Sequence, residues 1–552
     1  MAIKKKTKLL FTTLLVILFF KLNAQIPGEW TWMNGVNTMN FMGDYGTIGV
    51  ASATNKPPGV YEAIEWTDSQ NNFWFYGGQS NGYWFDNLWK YNVASNQWTW
   101  VKGSGSVTDK KPVYGVRGVA SIQNTPGERC ESQSWVDNQG NLWLLGGVSY
   151  EEPGFGCTYN DLWKYTISTN MWTWMKGDTI PICGFVVGHY GTKGMEDSLN
   201  NPLSMDERDI TWTDNNNLWM LDFRGCLWKY RIATNNWIWM KGDTNAIAVY
   251  GQKGMASPNN TPGSNNYAYT RWKDSNGNFW LFYADNSYNF KHIFKYEINT
   301  NMWTWVWGDT INNLVSYYGD TLCDYEFELH KENVIPFSRL EARACWIDKC
   351  DNLWLMGGIG WDHSTDGDFN DLIYFDTHIH EWIWAGNDTT HDYNAVYGTM
   401  GISCPLNKPA ARSGAIPFKD AGGNLWLYGG LKAVGSDIYY GDLWRYAMDN
   451  GCPPCNTPYH AGIAENELTT VKVFTYPNPF STQTVLQTDG YFKNAVLTLY
   501  NSLGQQVRQI NNISGHTFTL NRDNLPQGVY FLQLIQDNKT LTTDNLIIID
   551  NR

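Results

Sequence analysis

The sequence predicts an all-β chain: a six-bladed β-propeller of four-stranded blades closed by an N-terminal strand, then a small β-sandwich. Three observations predict it. A run holding Phe-Trp or Leu-Trp returns six times, with its second residue at Trp74, Trp143, Trp219, Trp280, Trp354 and Trp426, at intervals of 61 to 76 residues. Around it lie three further short apolar runs separated by turn residues. The last of these, a Trp-x-Trp pair, is missing from the sixth unit, and a spare copy stands near the start of the chain.

Each run reads as a strand. The third is Leu88 to Tyr91, Leu162 to Tyr165, Leu227 to Tyr230, Ile293 to Tyr296, Leu372 to Phe375 and Leu443 to Tyr446. The fourth is Trp98/Trp100, Trp172/Trp174, Trp237/Trp239, Trp303/Trp305 and Trp382/Trp384. Indoles two apart share one face of an extended chain, and aromatic and β-branched residues suit strands. The spare Trp30-Thr31-Trp32 supplies the strand that the sixth unit lacks. Pairing the two pieces leaves no open edge, whereas a linear array would need caps.

Of 30 Trp, 27 fall at repeat positions, where blade-against-blade packing is their expected role. Trp84, Trp307 and Trp361 fall outside and are candidate ligand-binding residues on long links. The links between first and second strands are tight and all begin with Asp: Asp68, Asp137, Asp214, Asp274, Asp348 and Asp420. Their shortness and the lack of a distal Glu favour turn capping over calcium. The links between strands two and three, and from strand four to the next strand one, are long and emerge on one face. The second class carries Tyr-Gly-x-x-Gly, and three of its members end in Pro-x-x-Arg. Arg129, Arg339 and Arg412 precede first strands, so they either face a ligand at the channel or form a structural fork to loop carbonyls.

Gly-Gly closing strand two, Asn-Asp-Leu-Trp-x-Tyr in strand three and Thr-Asn-x-Trp in strand four resemble kelch repeats over residues 29 to 446, with longer units than is usual. The kelch resemblance implies a propeller. It also admits a copper radical oxidase similar to galactose oxidase, whose Tyr and His ligands would converge at the channel mouth. His189, His292, His330, His363 and His391 lie in long-link regions but are scattered.

Residues 1–24 read as a secretory signal peptide. Lys4, Lys5, Lys6 and Lys8 precede an apolar run from Leu9 to Phe20, too short to span a bilayer. No transmembrane segment is expected in the mature chain. Residues 25–451 form the propeller, 452–468 a linker, and 469–552 the sandwich. Tyr-Pro-Asn-Pro at Tyr476 to Pro479, Leu499 to Gln505 and Leu525 to Tyr530 resemble the type A sorting domain of Bacteroidetes type IX secretion. That resemblance implies partnership with the type IX machinery, export across the outer membrane and a secreted or cell-surface location.

All ten Cys lie in the mature chain, an even number that suits an exported protein. Cys345/Cys350 and Cys452/Cys455 are close enough to pair locally. The net charge of −13, with no basic run beyond the N-terminus, argues against nucleic acid. No H-E-x-x-H, nucleophile elbow, P-loop or dinucleotide fingerprint occurs, so no catalytic residue, metal or cofactor is assigned. The expected function is binding of a glycan or extracellular protein on the long-loop face. The alternatives are an extracellular enzyme, copper oxidase or glycan-processing, and a structural or adhesive surface protein.

Overall fold

A computed structural model describes residues 26–105, 110–152, 155–181, 183, 188–203, 208–214, 216–245, 247–264, 270–284, 291–308, 317–318, 334–336, 339–361, 365–433, 437–449, 473–476, 478–501, 505–536 and 539–550. No helix occurs among them. The chain divides into two compact units, Met1–Ala461 and Gly462–Arg552. The expected signal peptide and linker, and Cys452/Cys455, lie outside the described residues.

In the first unit the repeats fold into six antiparallel sheets. The first strands are Ile64–Thr67, Gln133–Val136, Ile210–Thr213, Thr270–Lys273, Ala344–Ile347 and Ile416–Lys419. Each lies against the first strands of the sheets before and after it, and the first sheet's strand also lies against the sixth's. In the sixth sheet the outermost strand is Trp30–Gly35, paired antiparallel with Asp442–Tyr446.

The repeated residues explain the repeated geometry. In each tight turn the Asp carboxylate accepts one or two backbone N–H groups on one oxygen and the second-strand indole on the other. Asp68 takes Gln70 N, Asn72 N and Trp74 Nε1, at 2.8 to 2.9 Å. Asp137, Asp214, Asp274, Asp348 and Asp420 likewise bind Trp143, Trp219, Trp280, Trp354 and Trp426. Asn96, Asn170, Asn235 and Asn301 open the fourth strands with φ between 53° and 57°, which Asn tolerates. Their side chains accept the hydroxyls of Tyr91, Tyr165, Tyr230 and Tyr296. In the fifth sheet Phe375 and His380 stack instead.

Neighbouring sheets are pinned by indoles. Trp66, Trp135, Trp212, Trp272 and Trp346 donate to the backbone oxygens of Trp143, Trp219, Trp272, Trp354 and Phe418 on the next sheet. Phe418, the sixth first-strand counterpart, stacks on Phe73 at 4.7 Å. Among the described residues the largest fully buried side chains are all Trp. Gly77 (φ 70°) abuts the next sheet so closely that a Cβ would lie 2.2 Å from Arg129 O. That approach requires the glycine.

Two expectations are corrected. The Tyr-Gly-x-x-Gly links do not build a loop face. They run along the outer edge of the following sheet and cover it, Gly49, Gly118, Gly194 and Gly254 donating to Trp100, Trp174, Trp239 and Trp305 O, and Gly401 to Trp32 O. Tyr45 sits on both Trp89 and Trp100 there. Cys345 and Cys350 do not pair. Cys345 is a free thiol on a strand, its Sγ 3.3 Å from Arg271 O, and Cys350 is disulfide-bonded elsewhere. Cys157 pairs with Cys183.

The second unit is an antiparallel network of Val473–Tyr476, Gln483–Asn501, Gln506–Asn521, Gly528–Gln536 and Lys539–Ile548. Gln483–Asn501 pairs with Val473–Tyr476 through its first half and with Gly528–Gln536 through its second. Phe480, Leu497, Leu499, Tyr530, Leu532, Leu534 and Leu546 pack into its core.

Candidate functional site at the hairpin end

Among the described residues, strands two and three continue past the sheet body into hairpins in four sheets. These are Gln79–Ser80 with Tyr83–Trp84, Leu142–Glu152 with Phe155–Thr166, Leu353–Trp361 with Asp366–Asp376, and Leu431–Lys432 with Ile438–Tyr439. The four belong to sheets one, two, five and six, an unbroken arc. Sheet three turns tightly between Asp222 and Cys226. The residues leading into first strands lie at this same end, since Tyr61 bridges Gln79, Cys130 bridges Val148 and Ser413 bridges Leu431.

An inner rim underlies the hairpins. Glu62, Glu131, Glu341 and Gly414 all have φ between 53° and 60°. Glu62 N donates to Gly414 O, Glu131 N to Glu62 O, and Gly414 N to Glu341 O, at 3.0 to 3.1 Å, tying sheet to sheet. Left-handed backbone at a non-glycine residue costs about 1–2 kcal/mol, and the surrounding bonds over-determine it here. The three Glu stand two residues after Val60, Arg129 and Arg339. That register is visible in the sequence, and it is the signal by which the rim could have been found.

The three candidate arginines are 0%, 1% and 2% exposed. Arg129 forks onto Asp161 at 2.8 and 3.1 Å, donates to Gly146 O, and lies 4.4 Å above the Tyr159 ring. Arg339 does the same with Asp371, Gly357 O and Phe369, and Arg412 with Asp442, Gly429 O and Tyr440. The geometry is that of the structural fork. It joins Pro-x-x-Arg, the first Gly of Gly-Gly and the Asp of strand three. In sheet three Asp222 holds this place, and burial pushes its carboxyl up to about 6 against hydrogen bonds from Trp228, Cys226, Arg224 and Tyr190. In sheet four Lys291 and His292 replace Asn-Asp. His292 Nε2 meets the Tyr250 hydroxyl at 3.0 Å, and burial, with Arg339 adding, brings the Lys291 amine down to about 7.

The candidate tryptophans separate. Trp307 packs beside Phe375 and Trp382, covering a local cluster. Trp84 is half-buried at the first hairpin, next to Tyr83, which is 48% exposed. Trp361 ends its strand opposite Asp366. Of the histidines, His391 contacts Asp392 and Thr365, while His330 and His363 lie outside the described residues. Among the described residues no cluster of three or more His, Cys, Asp or Glu is arranged to hold a metal.

Between the first strands lies a cavity of about 340 Å3, lined by residues of sheets one to four including Glu65, Thr67, Ser134, Thr211, Arg271 and Lys273. Glu65 takes Arg271 from sheet four at 3.1 Å and Arg343, which leads into sheet five. One carboxylate thus braces opposite walls. Burial also pushes up the Cys345 thiol beside this brace. No motif in the sequence pointed to it.

Residues 475–549 match the family model for a secretion system C-terminal sorting domain. The sorting domain supports export by type IX secretion, to the cell surface or beyond. Among the described residues no helix is long and apolar enough to cross a membrane, which leaves strands aside. No curated protein matches the chain. A solved structure described as "Structure of YjhT" aligns at 13% identity with a TM-score of 0.42, covering 70% of this chain and 95% of that one.

Proposed function

We propose that the first unit is a six-bladed, kelch-like β-propeller closed by its N-terminal strand. In this reading it binds a glycan or an extracellular protein at its hairpin end, after signal-peptide export and type IX secretion. The cyclic contacts of the first strands and the pairing of Trp30–Gly35 with Asp442–Tyr446 support closure. The observation that carries the binding reading is the arc of four consecutive hairpins at one end, with Tyr83 exposed at the first. Loops held on a rigid scaffold are where binding residues concentrate, and an aromatic with one polar tip serves both sugar faces and protein partners.

The test is a screen of the mature chain against glycan and surface-protein arrays, repeated with Tyr83→Ala and Trp84→Ala. Saturable binding that weakens at least about tenfold in the variants, or about 1.4 kcal/mol, is expected. Binding that is unchanged by both variants overturns the assignment to this end. The absence of any binding overturns the module reading.

A further inference from the structure

The sorting domain carries an apolar corner on the face of its sheet opposite the core. Along Gly528–Gln536 the side chains alternate. Tyr530, Leu532 and Leu534 are buried, whereas Val529 and Phe531 are 46% and 45% exposed. Val529 stands directly across from Ile547, itself 39% exposed, and Phe531 across from Tyr500. Ile549, 47% exposed, follows Ile547 on the chain. One row farther along this face the residues are the buried Thr498 and the half-buried Gln533. A sheet face turned to water is expected to be polar at every second residue. Here that pattern gives way where the Leu525-to-Gly528 turn meets the last strand.

Beside the corner the surface is charged. Arg522 donates to Ile549 O and pairs with Asp550 at 2.7 Å, and Arg508 pairs with Asp523. An apolar centre with an ionic edge is the anatomy of a protein–protein interface, where Phe is enriched. The domain's match says what kind of occupant to expect. A sorting domain is an address, and an address has to be touched by the protein that reads it.

We propose that Val529, Phe531, Ile547 and Ile549 form the surface by which an apolar groove on the export apparatus recognises this chain. The inference rests on the type IX export reading. The test is export of the full chain from a type IX-competent cell, followed by fractionation. Val529→Thr with Phe531→Ser is expected to lower the exported fraction at least about tenfold and leave protease-resistant chain in the periplasm. Phe531→Leu, which keeps the apolar area, is expected to export like the parent.

Deletion of residues 469–552 separates the two ideas. If the deleted chain is still exported, the export reading itself fails. If the deleted chain is retained but the double variant exports normally, only the surface assignment fails. A parent dimer that the double variant converts to a monomer, with export unchanged, assigns the corner to a second copy and overturns the proposal. Should the double variant lose protease resistance, the single Val529→Thr and Phe531→Ser variants decide by the same readout.

Discussion

At the turn end of the first unit six aspartates cap their turns and each holds a second-strand indole. At the hairpin end the sheets are finished in different ways. Sheets two, five and six hold a buried Arg–Asp fork, sheet three holds Asp222, and sheet four holds Lys291 and His292. The turn end answers one local problem, reversing a chain over four or five residues, and one solution serves every copy. The hairpin end must also anchor insertions of different length, and it uses the fork in three sheets and other polar groups in the third and fourth. Uniformity therefore marks folding chemistry, and variation marks where the chain has been free to acquire a surface.

The sharpest way to break this comparison is Arg412→Ala. It leaves Asp442, 0% exposed, without its counter-charge. Losing one partner of a buried pair costs about 3–5 kcal/mol. We expect the urea midpoint to fall accordingly, while a loss of ligand affinity at unchanged stability would return Arg412 to the binding residues. Next comes Asp348→Ala at the turn end, which strips Cys350 N, Asn352 N and the Trp354 indole of their acceptor. About 1–3 kcal/mol is expected. Asp137→Ala should cost a similar amount if the six turns are equivalent, and a wide spread between them would undo the uniformity.

Lys291→Met probes the odd sheet. The amine binds its proton less tightly in the folded chain, at about 7, than the ordinary value of 10.5. Between those values the unfolded chain holds more protons, so this group makes stability rise with pH there, and below about pH 7 its full cost is present. The Met variant should therefore melt higher than the parent at pH 7, with the gap closing toward pH 10. A constant gap would mean that packing, not charge, separates the two. The smallest effect on stability belongs to Tyr83→Ala at an exposed hairpin, within about 0.5 kcal/mol by thermal melting. It sharpens the comparison because the same variant is expected to weaken binding.

The strands, the six units and the swapped strand were legible in the sequence because period-2 indoles and turn residues repeat. The turn aspartates were legible as caps, but their second duty, holding the Trp Nε1, was not, because nothing local says that an indole five or six residues on folds back. The arginines showed only as a motif. Their choice between ligand and fork depends on Asp161, Asp371 and Asp442, more than twenty-five residues away in every case. The Glu65 brace joins sheets one, four and five, a distance over which local pattern carries no information. The cysteines misled for a related reason. Closeness in sequence suggested Cys345 with Cys350, but strand geometry points the first at Arg271 O.

The strand Trp30–Gly35 has a consequence in time. It is made before every sheet, yet its partner Asp442–Tyr446 comes after all of them. Until the last sheet arrives, its indoles have no seat and the sixth sheet has a bare edge. Contacts of such long sequence separation form slowly. The chain thereby carries a built-in order of assembly, because its final locking step waits for its own far end.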